Sequence, residues 1–282
     1  MNGEKHYPQG NQAYQPEPSE MQLSVVQDKT SFLEKKSHPW ISLGFFICLL
    51  LMWELICRME YVPPLFLPAP SNILQEGWIM VKSGLLFKHL LTSLGRILWG
   101  FLIACAAGLL VGVITAFFSI PDALGTPLIA SLYPIPKIAI LPLLILWLGI
   151  GEASKVAVIA LGVFFPFVIN VYAGVKNVDT LLVKAAISLG SSRTRIIRKV
   201  LFPASLPMIF AGMKLGIGIA LLLVVASEMV AADMGLGFMI LHAADLMNTK
   251  RLMVGLICLS CLGLFFNWLF VKLEAVCIPW KE

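Results

Sequence analysis

Between Ile41 and Lys272 long apolar runs alternate with short polar ones, and run length sets the first expectation. A helix needs about 20 apolar residues to cross a hydrocarbon core. Stretches 41–57, 93–118, 127–149, 155–174, 208–230 and 252–272 come near or past that length, so the pattern predicts an all-α, polytopic membrane protein with about six transmembrane helices. Segment 68–87 differs. It opens on Pro68-Ala69-Pro70-Ser71 and carries Ile73, Leu74, Trp78, Ile79, Val81 and Leu85 at mixed helical spacing, which predicts an interfacial helix on the bilayer surface. Residues 1–37 are polar, with Pro8, Pro16, Pro18 and four lysines (Lys5, Lys29, Lys35, Lys36), and are expected to form a disordered cytoplasmic tail ahead of a transmembrane domain over 38–282. Ile41 to Cys57 runs into Arg58-Met59-Glu60 without a small-residue cleavage site, so it is expected to stay as the first span rather than leave as a signal peptide.

Composition agrees with this reading: the chain is 59% hydrophobic and 13% charged, too apolar for a soluble domain. Its 22 glycines and 17 prolines suit helices whose neighbours re-satisfy freed backbone groups. The net charge of +5 does not point to nucleic acid, because the basic residues cluster beside apolar runs, where orientation signals belong. Segment 175–203 holds Lys176, Lys184, Arg193, Arg195, Arg198 and Lys199 against Asp179, whereas 150–155 holds Glu152 and Lys155. The basic loop is therefore expected in the cytoplasm together with both termini, although Lys250 and Arg251 oppose that count. Cys258-x-x-Cys261 has no second pair and no nearby histidine, and reads as two small packing residues. No metal or cofactor is expected.

The basic segment has its own internal design. Val183 to Leu189 is helix-forming with small Ala185 and Ala186, and Gly190 is the residue type that ends a helix in the left-handed region. Ser191 or Ser192 can cap a second helix carrying Ile196, Ile197, Val200 and Leu201, which Pro203 and Pro207 are expected to stop before the fifth span. Such a unit can serve topology alone, read DNA as a helix-turn-helix, or dock a peripheral protein. Tethering at both ends to spans leaves little freedom to enter a major groove.

The run Lys184-Ala185-Ala186-x-x-Leu189-Gly190-Ser191-Ser192, with Leu201-x-Pro203 and Pro207, resembles the Glu-Ala-Ala loop of permease subunits in bacterial ABC importers. Further stretches resemble permeases of the nitrate, sulfonate, taurine and bicarbonate group: Leu67 to Ser71, Ser93-Leu94-Gly95-Arg96, Pro134 to Lys137, Ile140 to Lys155, and Ala226-Ser227-Glu228-Met229 with Gly235-Leu236-Gly237. The resemblance spans about 41–275 and implies a type I importer permease fold. It also implies a coupling loop over 175–207 that sits in a groove of an ATPase subunit, a second permease copy, and an extracytoplasmic binding protein delivering a small anion. Carried over by motif, the coupling residues are Lys184, Ala185, Ala186, Leu189, Gly190, Ser191, Leu201 and Pro203, with Gly190 at the turn and Leu201 and Pro203 closing the unit. Lys184 departs from the motif, which has an acid at that position.

Ionisable residues inside a membrane need a reason, since each costs about 2.5–3.5 kcal/mol at a helix centre. Glu54, Arg96 and Lys214 are expected to reach the interfaces, whereas Glu228 is expected to shape a gate or the contact with a delivering protein. Pro134, Pro136 and Pro142 break the start of the third span, either to pack a kink or to line a path. Arg96, Pro136 and Pro142 thus join Glu228 as gate or path candidates. With no phosphate-binding loop and no His-Glu-x-x-His helix, the chain is not expected to be an enzyme, and a driving energy must come from a partner. The rival class is an ion-gradient-driven secondary transporter, which would be expected to carry internal repeats. None is visible.

Overall fold

The computed structural model describes residues 39–59 and 61–280, so the expectation for 1–37 lies outside the described residues. The chain divides after Met52. The first part contributes described residues 39–52, most of helix α1 (Pro39–Arg58). The second part holds α2 (Pro70–Lys82), α3 (Leu85–Phe117), α4 (Ser119–Leu132), a 3-10 turn (Lys137–Ile140) and α5 (Leu141–Leu148). It continues with α6 (Glu152–Lys176), α7 (Thr180–Ser188), α8 (Arg193–Ala231), α9 (Leu236–Asp245) and α10 (Thr249–Cys277). Five helices are long and apolar enough to cross a membrane, and α4 with α5 makes a sixth span if that bent pair is counted as one.

The core of the second part is α6 packed between α3 and α8. Close approach follows from a small residue every fourth position, which lines one side of a helix. On α3 these are Gly100, Ala104, Gly108 and Gly112, all buried. A Cβ at Gly100 would meet Ile159 at 2.6 Å, and one at Gly112 would meet Val171 at 2.8 Å. On α8, Gly212, Gly216 and Ala220 repeat the spacing, with Gly212 against Asn170 and Gly216 against Val163 of α6.

Three boundaries differ from the sequence reading, each for a physical reason. The span expected at 127–149 is not one straight helix: α4 and the 137–148 segment meet at 88°. Pro134 and Pro136 carry no N–H for the preceding carbonyls, so the helix does not continue past Tyr133, which is itself still helical at φ −59° and ψ −43°. Second, the helix expected over 68–87 ends at Lys82, where Gly84 turns the chain at φ 73°, and α3 starts at Leu85, well before residue 93. Third, Pro203 and Pro207 do not stop a helix. They lie within α8, which absorbs them through a wide turn at Ile197–Leu201, where the Phe202 N–H bonds five residues back to the Ile197 carbonyl.

Glu54 and Lys214, which stood out in the sequence, are each ion-paired. Glu54 accepts hydrogen bonds from the Ser71 amide (3.0 Å) and hydroxyl (2.7 Å), so it caps the start of α2 from α1 while pairing with Arg58 at 2.7 Å. Lys214 of α8 pairs with Glu274 of α10. The α2 helix buries Ile73 and Met80 and is tied to α10 by Glu76 and Arg251 at 2.7 Å.

Candidate functional site

One end of the bundle carries the α7–α8 unit. Asp179 opens α7 by accepting from the Leu181 amide at 2.8 Å. The helix closes on Gly190 at φ 70°, with the Ser191 amide on the Ala186 carbonyl (3.0 Å) and the Gly190 amide on the Ile187 carbonyl (2.9 Å). This paired closure is the glycine-dependent helix end expected from the sequence. Ser192 then stands at the cap position of α8 through its backbone, and its hydroxyl makes no capping bond. Lys184, Ala185, Leu189 and Gly190 are exposed, and Ala186 and Ser191 are half-buried. Leu201 sits half-buried in the wide turn and Pro203 in the helix beyond it, so neither closes the unit.

Large apolar side chains on this unit face outward: Leu181 is 68% exposed, Ile187 60% and Leu189 86%. Lys184, Arg193, Arg195, Arg198 and Lys199 are exposed around them, with no carboxylate in ion-pair distance among the described residues. Ile196 is buried and anchors the unit. Next to it, Asp122 at the start of α4 accepts from Lys176 and Tyr172, each at 2.8 Å, and so joins the end of α6 to the α3–α4 turn. An apolar-and-basic, otherwise uncovered surface of this kind suits protein docking.

The opposite end is closed by a charged cluster whose members come from four helices and a loop. Arg96 of α3, 4% exposed, donates through Nη1 to Glu228 of α8 (2.8 Å) and to the Met234 carbonyl (2.6 Å). Its Nε and Nη2 donate to both oxygens of Glu152 on α6, at 2.6 and 2.5 Å. Glu228 is fully buried and also accepts from Ser93 (2.7 and 2.9 Å) and from the Gly237 amide (2.8 Å). Ser93 in turn accepts from the Leu236 amide at 2.8 Å, and His89 accepts from the Gly235 amide at 3.1 Å. A Cβ on Gly235, at φ 130°, would lie 2.3 Å from the Glu228 carboxyl carbon. Arg96 therefore does not reach outward. It cross-links α3, α6 and α8 and fixes the loop that leads into α9. The sequence singled out Arg96 and Glu228 but not their contact, and it missed Ser93, His89 and Glu152 as partners.

Pro136 and Pro142 lie exposed at the α4–α5 break and join neither cluster. Lys137, which the sequence reading passed over, holds the break together. Its ammonium donates to the carbonyls of Leu132 (2.9 Å), Tyr133 (2.9 Å) and Ile135 (2.7 Å) and stands 4.6 Å from the ring centroid of Phe165 on α6.

The described helices thus form a multi-span bundle with one bent helix pair and a short helix, α7, between two of the spans. Residues 108–275 match the family described as binding-protein-dependent transport system inner membrane components, and this chain belongs to that family. The taurine transport system permease protein TauC of Escherichia coli is 32% identical over 245 residues, covering 85% of this chain and 89% of that protein. SsuC of Bacillus subtilis, named for aliphatic sulfonates transport, is 34% identical over 88% of this chain and 90% of its own. The riboflavin transport system permease protein RibX of Chloroflexus aurantiacus is 32% identical over 92% and 97%. Among solved structures, the MetNI methionine ABC transporter in an inward-facing conformation superposes with a TM-score of 0.59 at 20% identity, covering 71% of this chain and 96% of that one. The fold is thus that of an ABC importer's transmembrane subunit. The chain is a multi-pass inner-membrane permease component, not itself a catalyst.

Proposed function

We propose that two copies of this chain form the transmembrane path of an ATP-driven importer for sulfonates or similar small anionic solutes. In this reading the α7–α8 unit is cytoplasmic, as are both termini, and seats in a groove of an ATPase subunit, while the Arg96–Glu228 end faces an extracytoplasmic binding protein. The observation that carries it is the α7–α8 surface, where Leu181, Ile187 and Leu189 stand exposed among basic residues that have no carboxylate partner among the described residues. ATP-driven closure of the ATPase pair would move this unit as a rigid body, and α8, continuous from Arg193 to Ala231, would carry the motion to Glu228 at the far end. The sulfonate assignment draws on the named transport of two relatives; the riboflavin relative shows that the family's fold admits other solutes.

The test is reconstitution of the chain with and without its ATPase in vesicles. ATP-dependent uptake of a sulfonate such as taurine that vanishes without the ATPase supports the reading. Full uptake by this chain alone, driven by an ion gradient, would replace it with the secondary-carrier reading.

A further inference from the structure

Helix α4 is loosely held. Phe118, extended at φ −118° and ψ 130°, is the single residue between it and α3, and none of the 14 residues of α4 is fully buried. On one side Gly125 packs on Thr115 of α3, where an added Cβ would come within 3.2 Å. On the other side α4 stands off from α6 across an apolar cleft of about 270 Å³, lined by Ile129 and Ala130 of α4, Val168 and Ile169 of α6 and Thr115 of α3. Its far end runs into the 88° break.

Asp122 bridges the gap to α6 at one end. Its Oδ1 accepts from the hydroxyls of Thr126 (2.9 Å) and Tyr172 (2.8 Å), and its Oδ2 from the Lys176 ammonium (2.8 Å). Among the described residues, the bonds from Tyr172 and Lys176 are the hydrogen bonds that join α4 to α6. Those two residues belong to the last turn of α6, and only Asn177, Val178 and Asp179 separate Lys176 from α7. The helical rise places Asp122 about 6 Å and Tyr133 about 22 Å from Phe118, so a displacement at Asp122 is enlarged about fourfold at the far end. The cleft leaves room for that swing, whereas close-packed helices resist one.

We propose that Asp122 is a positioning residue for transport, the joint through which movement of α7 reaches the α4–α5 break. The proposal rests on the importer reading above, in which the ATPase supplies that movement. When the α7–α8 unit shifts, the last turn of α6 shifts with it, Tyr172 and Lys176 draw Asp122 along, and α4 pivots about Phe118 as a rigid rod. The Asp122 contacts persist through the cycle, and the break is what changes. A partly exposed ion pair contributes little to stability, so losing this one costs coupling rather than folding.

The test uses the full complex with its ATPase, with this chain labelled with fluorotyrosine and read by fluorine NMR in nanodiscs, without nucleotide and with ATP held on a hydrolysis-blocked ATPase. Tyr172 stands at the joint and Tyr133 at the far end of α4, and their lines are assigned by Tyr172→Phe and Tyr133→Phe. ATP should move the Tyr133 line and leave the Tyr172 line in place, and in Asp122→Asn it should no longer move the Tyr133 line. In vesicles, Asp122→Asn should keep ATP hydrolysis within about twofold of the parent while taurine imported per ATP falls at least about tenfold, and the charge exchange Asp122→Lys/Lys176→Asp should recover import to within about threefold. Three results would overturn the proposal: a Tyr133 line that ATP does not move in the parent, an Asp122→Asn variant with the parent's shift and coupling ratio, or one with a lowered melting temperature and equal loss of hydrolysis and import, which would make Asp122 only a brace. A parent that binds no ATPase would remove the importer reading and the joint with it. A parent whose Tyr133 line answers to ATP but which imports no taurine keeps the joint and loses the sulfonate assignment alone.

Discussion

Arg96 holds two carboxylates at once, and the two are not equivalent. Glu152 has 63% of its side chain exposed and can be solvated if released, whereas Glu228 is sealed from water. Removing the guanidinium therefore strands one buried charge. Arg96→Met is expected to destabilise the fold by about 3–5 kcal/mol, read as a lowered melting temperature in detergent. The double variant Arg96→Met/Glu228→Met should cost less than the two single changes summed, because no buried charge is left alone; a strictly additive result would deny the pairing. Gly235→Ala tests the same cluster from the loop side. Its Cβ has no room beside Glu228 and its φ of 130° disfavours any side chain, so lost uptake with the parent's level of membrane insertion is expected. The sequence made Arg96 and Glu228 conspicuous by their cost in a membrane. It could not show that they meet across 132 residues, because placing both at the same bundle end does not fix how α3 and α8 are rotated about their axes.

At the scale of elements, the spans were legible from length and apolarity alone, and so was the α7 end at Gly190, since a left-handed residue after a short helix has a sequence signature. The small-residue repeats on α3 and α8 were present too, at spacings of four. They passed as general glycine richness until α6 was seen packed between them. Prolines were the ambiguous signal: Pro134 and Pro136 break a span, whereas Pro203 and Pro207 are absorbed, and only the wide turn at Ile197–Leu201 tells the cases apart. Three substitutions follow at this scale. Gly112→Leu must displace Val171 or the Val168 carbonyl, respectively 2.8 and 3.1 Å from a Cβ, and should destabilise by about 1–3 kcal/mol in thermal unfolding, whereas Gly44→Leu, with open space around it, should leave melting unchanged. Gly190→Val should fray α7 without lowering the overall melting temperature, because the turn has open space but a positive φ. Its readout is reduced ATPase stimulation at normal expression.

For the whole molecule, if the α7–α8 unit docks an ATPase as proposed, charge decides which groove suits it. Asp179 is the one acid in the 175–203 segment and is occupied in capping α7, whereas Lys184, Arg193, Arg195, Arg198 and Lys199 are exposed and unpaired among the described residues. A groove that receives this surface must be acidic around an apolar floor, and Lys184, at the motif's acidic position, makes this chain a poor match for an ATPase whose groove presents a basic residue there. Exposed charges lose most of their reach once the Debye length falls to about 3 Å at 1 M salt, from about 10 Å at 0.1 M. Association with the ATPase, followed by co-purification across that range, should weaken steeply with salt, and Lys184→Glu should weaken it at low salt while leaving the high-salt remainder unchanged. Tighter association of Lys184→Glu at low salt would mean that the groove keeps a basic residue at that point. Salt would then screen a repulsion at Lys184, and the loss of association with salt would be shallower or reversed, with Leu181, Ile187 and Leu189 supplying the salt-independent part.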